Sequence, residues 1–299
     1  MSRKVHTIDL NFLNREDAIA AYLIPHSEGA VLVESGPGST ISALQAGIEE
    51  QGFTLNDITH VFLSHIHLDH AGAAGWLAER GAQICVHPVG ARHMLSPEKL
   101  IASATRIYKD KMEMLWGEFL AVPEDKLIIA EDGQEVSVGD LIMVAIHTPG
   151  HAEHHISWGI KDDIVFTGDI GGVRMPGYDY VRLPFVPPEL HLGKWHASLE
   201  KLLAMKFKRI APTHSSIFDD AERHLKAALS SVNEASHWLE EIMPTEPTVD
   251  ELGRKVVIWM KEQAQIEGIS EETLQVYEIA NPLHMSSVGL ARYWKKFRS

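Results

Sequence analysis

Apolar positions in the first 130 residues fall in short runs of strand length, most of them closed by a turn signal or followed by a helical pattern. Lys4 to Leu10 and Ala18 to Ile24 predict two strands. Ala30 to Glu34 predicts a third, ending at Ser35-Gly36-Pro37-Gly38, where two glycines and a proline favour a tight turn. Ser39 or Thr40 then caps a helix through Gln51, with Ile41, Leu44 and Ile48 on one face and Gly52 as its stop. Thr59 to Leu63 reads as a strand, Gly72 to Arg80 as a helix closed by Gly81, and Gln83 to Val86 as another short strand. Ser96-Pro97-Glu98 opens a helix that runs to about Leu115, with proline suited to its first position. Its Ile101, Tyr108, Met112, Leu115 and Trp116 give it a face that packs in the core or walls a cleft.

A second block of strands follows: Leu127 to Ala130, Glu135 to Val138, Leu141 to His147, His155 to Ile160 and Ile164 to Thr167, with turns at Asp132-Gly133 and Lys161-Asp162-Asp163. Lys194 to Met205 is a helix and Arg209 to Pro212 a strand. Two blocks of strands, each followed by helices, predict an α/β sandwich of sheets with helices outside them. Beyond Asp219 the pattern is helical: Asp220 to Glu241, then a Met243 to Pro247 linker, then a helix to Gly268 opened by a Thr248/Glu251 capping box. Ser270 to Ile279 and Pro282 to Phe297 complete the set. The expected division is residues 1–219 as the site-bearing domain and 220–299 as a helical extension that packs on the sandwich or builds a homodimer contact.

Composition narrows the function classes. With 27 basic and 41 acidic residues the formal charge is −14, which argues against nucleic acid or an anionic membrane as partner. A small anionic substrate stays open, because a metal centre would set the local field. The single cysteine, Cys85, leaves no intrachain disulfide and no cysteine zinc site, and its apolar strand marks it as a core residue. The start MSRKVHTIDLNFLNRED has no apolar run of signal-peptide length, and no stretch approaches the roughly 20 apolar residues of a membrane helix. The expectation is a cytoplasmic protein.

The chemistry concentrates in Ser64 to Ala71, SHIHLDHA, where His65, His67, Asp69 and His70 fall within six residues behind an apolar strand. Extended geometry would turn His65 and His67 to one face, and a turn before the small run Ala71-Gly72-Ala73-Ala74 would fold Asp69 and His70 back toward them. Three further ligand types stand just past predicted strands: His151 in TPGH, Asp169 in TGD and His214 in PTH. Loops at strand ends are where open α/β architectures gather active residues.

HIHLDH with a downstream TPGH, TGD and PTH resembles the metallo-β-lactamase superfamily, over about Lys4 to Asp219. The resemblance implies an αββα sandwich with the site at one edge of its two sheets. It implies that His65, His67 and His151 bind one metal, that Asp69, His70 and His214 bind a second, and that Asp169 bridges them. Imidazole and carboxylate suit two divalent ions, zinc first, with iron or manganese as alternatives. Such a pair lowers the pKa of water toward about 7 and polarises an acyl oxygen, with Asp69 and Asp169 closest to the chemistry. No Gly-x-Ser-x-Gly nucleophile elbow is present. Glu34 stands where relatives commonly have aspartate; it orients a ligand histidine or anchors structure. His155, or His154 beside it, holds a hydrogen bond behind the ligands or starts the next strand. His60, His87 and His93 have no motif support.

The resemblance implies hydrolysis of a small-molecule ester, thioester or lactone, in the glyoxalase II or lactonase-like branch, and the expected assembly is a homodimer. The segment after Asp169, IGGVRMPGYDYVRLPFVPP, replaces the glycine- and cysteine-containing stretch of glyoxalase II. Arg292, Lys295 and Lys296 read as a solvated helix face rather than a glutathione grip. Tyr178, Tyr180 and Arg182 are the candidates for substrate contact, by donating to an oxyanion or binding a carboxylate; simple packing of an irregular loop is the alternative. Two other function classes stand beside hydrolysis: a mononuclear Fe(II) persulfide dioxygenase, and a metal-binding scaffold without catalysis. The flavin-dependent di-iron pattern, with a glutamate in the motif and a flavodoxin domain, does not match.

Overall fold

The structure is a computed structural model and describes residues 2–298. Strand β1 (His6–Asp9) pairs antiparallel with β2 (Ala20–His26), and β2 with β3 (Gly29–Val33). Helix α1 (Ile41–Glu50) then returns the chain, and β4 (Ile58–Phe62) joins β3 in parallel. Helices α2 (Leu68–Ala71) and α3 (Ala74–Glu79) do the same for β5 (Gln83–Val86). Helices α4 (Pro88–Leu95), α5 (Glu98–Tyr108) and α6 (Met112–Trp116) lead to β6 (Leu127–Ile129), closing a six-stranded sheet in chain order. Parallel pairing needs such crossovers and covers both faces, which is why these central strands are apolar at nearly every position.

The second sheet is a meander of β7 (Glu135–Val138), β8 (Leu141–His147), β9 (Ile156–Ile160) and β10 (Ile164–Phe166). Helix α7 (Leu192–Met205) brings β11 (Arg209–Ala211) back parallel to β10. The inner faces of the two sheets share one core, including Tyr22, Val31, Phe62 and Cys85 from the first and Met143, Ile156, Trp158 and Phe166 from the second. Phe62 meets Trp158 edge-on at 4.8 Å, and Trp158 Nε1 donates to Leu63 O at 2.9 Å. Cys85 is fully buried there, and burial pushes its thiol up. The architecture is the expected one: two mixed sheets flanked by helices, with further helices at the C-terminus.

Helices α8 (Ala221–Ile242), α9 (Val249–Ile266), α10 (Glu271–Ala280) and α11 (Leu283–Phe297) follow, α9 opening with the Thr248/Glu251 capping box. They dock on the sandwich: Val232, Leu239, Val256 and Leu290 share one cluster with Ile146, Val165, Trp195 and Ile210. Among the described residues no helix is long and apolar enough to cross a membrane.

Local departures from the pattern have physical causes. The helix expected over 96–115 breaks at Lys109, whose φ of 53° lies in the left-handed region, and resumes as α6. The helix expected over 72–80 runs from Ala74 to Glu79, and a single turn at Leu68–Ala71 that the pattern did not predict precedes it. Helix α4 went unread because Pro88 and Gly90 interrupt its pattern; His87 Nδ1 accepts from Val89 N at 3.0 Å and starts it. The Thr40 hydroxyl donates back to Pro37 O at 3.0 Å instead of capping α1.

Two features invite measurement. A Cβ on Gly289 would lie 1.8 Å from Phe185 O, so α11 rides directly on the backbone between β10 and α7. Gly289→Ala is expected to cost about 1–3 kcal/mol in denaturant unfolding through overpacking; unchanged stability would refute that docking. Asp163 ties the N-terminus to β11, accepting from Arg3 N at 2.6 Å and from Arg209 at 2.9 and 3.0 Å. Burial opposes its charge, but these donors outweigh burial and hold the carboxyl below its usual value. The stability it adds is therefore complete above the unfolded value of about 3.9 and lost as pH falls through the lower folded value. Asp163→Asn should remove about 1–3 kcal/mol at neutral pH and flatten the acid limb of the stability curve.

Candidate metal centre

Strand β4 ends at Phe62, and the chain stays pinned beyond it: Leu63 N donates to Cys85 O at 3.0 Å and Ile156 N to Ser64 O at 2.7 Å. His65 and His67 converge on this irregular stretch rather than on a paired strand, with His65 Nε2 2.8 Å from His67 Nδ1. The single turn α2 then swings Asp69 and His70 round. Gly72 makes that turn fit, since a Cβ there would lie 2.5 Å from Leu68 O and 2.7 Å from Pro37 Cα. His151 follows β8 after Gly150, whose φ of 149° and 2.4 Å Cβ approach to Trp195 Cα both exclude a side chain. Asp169 lies in a tight turn after β10, and His214 in the loop after β11.

These seven residues meet at one place, in two groups within which the ligand-type atoms all lie within 4.8 Å: His65, His67, His151 and Asp169, and Asp69, His70 and His214. Asp169 spans them. Its Oδ2 is 3.2 Å from His151 Nε2, and its Oδ1 is 3.2 Å from both His70 Nε2 and His214 Nε2. Asp69 Oδ2 stands 3.6 Å from His70 Nε2 and 3.8 Å from His214 Nε2. His67 Nδ1 is also 3.0 Å from His151 Nε2.

The outward nitrogens decide what the inward ones can do. His151 Nδ1 donates to Pro184 O at 3.0 Å, His214 Nδ1 to Ala18 O at 2.8 Å and His70 Nδ1 to Glu34 Oε1 at 3.1 Å. A neutral imidazole that donates outward presents a lone pair inward. With the rings neutral, as ligands must be, the centre of the cluster is lined by acceptors, and His70 Nε2 and Asp169 Oδ1 are buried without a hydrogen bond. Burial and neighbouring histidines hold His65 and His67 well below the usual imidazole value. Burial lowers His151 too, against the pull of Asp169. Burial would raise Asp169, but His151, His70 and His214 outweigh it and keep the carboxylate ionised. Burial opposes protonation of His70 and His214, yet the facing carboxylates prevail and raise both. Converging lone pairs and ionised carboxylates of this composition fit divalent metal ions.

Around the cluster, Glu34 both orients and anchors. It is buried, and its carboxylate accepts from His70, from Thr213 Oγ1 at 2.8 Å and from Ser64 N at 3.2 Å. His155 is tied to Thr148 Oγ1 at 2.9 Å and stacks on His65 at 5.1 Å between ring centroids; His154 stacks on the same ring at 6.1 Å. Neither belongs to the two ligand groups. Tyr178, Tyr180 and Arg182 lie instead among the C-terminal helices. The Tyr180 hydroxyl donates to Met260 O at 3.3 Å, Tyr178 packs against the cluster that holds Tyr180 and Tyr277, and Arg182 sits over the Tyr277 ring at 5.0 Å.

On the Asp69 side the structure adds an aromatic wall. Trp116 stacks on Phe12 at 5.7 Å and receives Tyr108 edge-on at 5.0 Å. Burial, and then the charge of Asp69, push the Tyr108 phenol up. The apolar face of the 96–115 segment was visible in the sequence, but Phe12 reaches it only through tertiary folding. The Asp69 side chain is 21% exposed against 5% or less for His70, His214 and Asp169, and His67 is also partly exposed, so solvent reaches the cluster at these two residues. Glu34→Gln should weaken metal retention about 10- to 100-fold, measured by elemental analysis after graded chelation; unchanged retention would deny Glu34 its orienting role.

Known proteins share the fold. The family model described as the metallo-beta-lactamase superfamily matches residues 14–214. The metallo-beta-lactamase fold-containing protein ST1585 of Sulfurisphaera tokodaii is 27% identical over 234 residues, covering 76% of this chain and 85% of that protein. Its crystal structure superposes with a TM-score of 0.65 over 97% of this chain and 99% of its own. That of the metallo-beta-lactamase family protein TTHA1429 from Thermus thermophilus gives 0.66 at 17% identity, over 98% and 93%. The atrochrysone carboxyl ACP thioesterase dmxR1 of Cryptosporiopsis sp. is 22% identical over 70% of this chain, which spans about half (52%) of that protein. With a family model covering two thirds of its length and the matching fold, the chain belongs to the metallo-β-lactamase superfamily.

Proposed function

We propose that the protein is a dinuclear metallohydrolase that cleaves an ester, thioester or lactone bond of a small molecule. The observation that carries this reading is Asp169, which offers one carboxylate oxygen to each of two groups of inward-facing ligands. His65, His67 and His151 would hold one ion, Asp69, His70 and His214 the other, with zinc first and iron or manganese as alternatives. Two such ions supply an acidified water at neutral pH and a Lewis acid for the acyl oxygen. The chain's own contribution is placement. Pro184 O, Ala18 O and Glu34 fix the imidazoles, and Asp69, open to the cleft, is placed to take up a proton. The thioesterase among the relatives supports an acyl-transfer class and favours thioesters in a first screen.

The persulfide dioxygenase reading needs one metal and leaves Asp69, His70 and His214 without a purpose. The scaffold reading has to explain why so costly a set of buried ligands would be kept for metal that takes part in no chemistry. Elemental analysis of purified protein, paired with thioester and lactone hydrolysis assays on the same sample, decides among them. About two ions per chain with hydrolysis supports the proposal. A single iron with persulfide oxidation and no hydrolysis replaces it, and a metal-loaded protein inert to all these substrates favours the scaffold. His67→Ala is expected to lose metal and activity together; full activity after loss of both His67 and His151 would sink the mechanism.

A further inference from the structure

The outer nitrogen of His65 has neither a peptide oxygen nor a carboxylate to bond among the described residues. Its Nε2 stands 2.8 Å from His67 Nδ1, inside the first ligand group, so Nδ1 is the outer atom, and the atom facing it is Ser64 Oγ at 2.9 Å. The same hydroxyl lies 3.4 Å from His70 Nδ1, in the second group. Ser64 is buried, and its backbone is pinned on both sides: its N donates to Glu34 Oε2 at 3.2 Å and its O accepts from Ile156 N at 2.7 Å.

A hydroxyl has one proton and two lone pairs, so it can meet His65 Nδ1 in two ways. If it donates, the neutral ring keeps its proton on Nε2, and that nitrogen cannot bind a metal. If it accepts, Nδ1 holds the proton and Nε2 offers its lone pair inward. His70 cannot take the Ser64 proton, because its Nδ1 already carries one for Glu34 Oε1. The acceptor left beside Ser64 is His155 Nε2, which is buried without a hydrogen-bond partner. Gly168 brings the two close. Its φ of 49° lies in the left-handed region, and a Cβ there would stand 2.5 Å from Ser64 Oγ and 2.7 Å from His155 Nε2, so both atoms rest against the same bare Cα. They lie beyond direct hydrogen-bond range of each other, so the contact is electrostatic, a hydroxyl proton facing a lone pair. On its far side His155 Nδ1 is 2.9 Å from Thr148 Oγ1, which is 3.0 Å from Ser157 Oγ. Polar groups buried in such a line align their donors in one direction.

We propose that Ser64 is a positioning residue that serves both ligand groups. Its hydroxyl accepts from His65 Nδ1, lies against His70 Nδ1 and turns its own proton toward His155 Nε2, which holds the lone pair of His65 Nε2 inward. His155 then carries its proton on Nδ1, for Thr148. Ser64 has this role only where the cluster binds metal, so it rests on the dinuclear reading, and it adds to that reading a residue that orients a ligand without being one.

The test is competitive zinc titration of the full chain against a chromophoric chelator, together with proton–nitrogen spectra of the histidine rings in the zinc-loaded protein. The wild-type chain is expected to show His65 and His155 each protonated at Nδ1, with the His65 proton protected from exchange. A His155 proton on Nε2 reverses the line and overturns the proposal, and that measurement needs no variant. Ser64→Ala should weaken zinc binding about 10- to 100-fold and speed exchange of the His65 proton, while Ser64→Thr, which keeps the hydroxyl, binds close to wild type. A Ser64→Ala protein that melts earlier yet binds zinc as tightly as wild type would make Ser64 a packing residue and overturn the proposal alone. A wild-type chain that takes up no divalent ion removes the dinuclear reading and the proposal together.

Discussion

The placement of protons on a few imidazole rings governs this molecule. Five histidines and two aspartates meet where four loops converge, and a pile of lone pairs in one place is repulsive unless something positive sits among them. The fold makes the arrangement definite by giving outward ring nitrogens an acceptor: Pro184 O for His151, Ala18 O for His214 and Glu34 for His70. Each of those acceptors comes from a different part of the chain. The strand order, the Gly150 and Gly72 contacts and the inter-sheet core together hold them at the same point.

That dependence explains which parts of the structure were legible in the sequence. The seven ligand-type residues could be read because they stand in short motifs at strand ends, and the structure brings all seven together. The two-block strand pattern likewise yielded the sandwich, and β5, β7 and β8 begin and end where the apolar runs do. The carbonyls that orient His151 and His214 left no trace, since every residue has one and only tertiary proximity selects Ala18 and Pro184. Tyr178, Tyr180 and Arg182 illustrate the opposite limit. Their nearness in sequence to Asp169 pointed to the site, but the chain turns away after Gly172 and lodges them against α9, α10 and Tyr277. The helix break at Lys109, where the backbone takes a positive φ, and the extra turn at Leu68–Ala71 also left no signal in the sequence.

The C-terminal helices are part of the same mechanical unit. Their apolar faces merge with α7, β10 and β11 in one cluster, and Gly289 lets α11 lie against Phe185 O, one residue from the carbonyl that holds His151. The tail thus reaches the backbone that orients a ligand without touching the ligand itself.

The use of main-chain carbonyls at His151 and His214 also bears on how such a site changes over time. A carboxylate partner such as Glu34 can be lost by one nucleotide change, whereas a peptide oxygen survives any substitution that keeps the backbone path. Two of the five rings are therefore insulated from sequence drift in their surroundings. Loops and helices around them are free to diversify, and the centre can be inherited by descendants that share little beyond their motifs and the course of the chain.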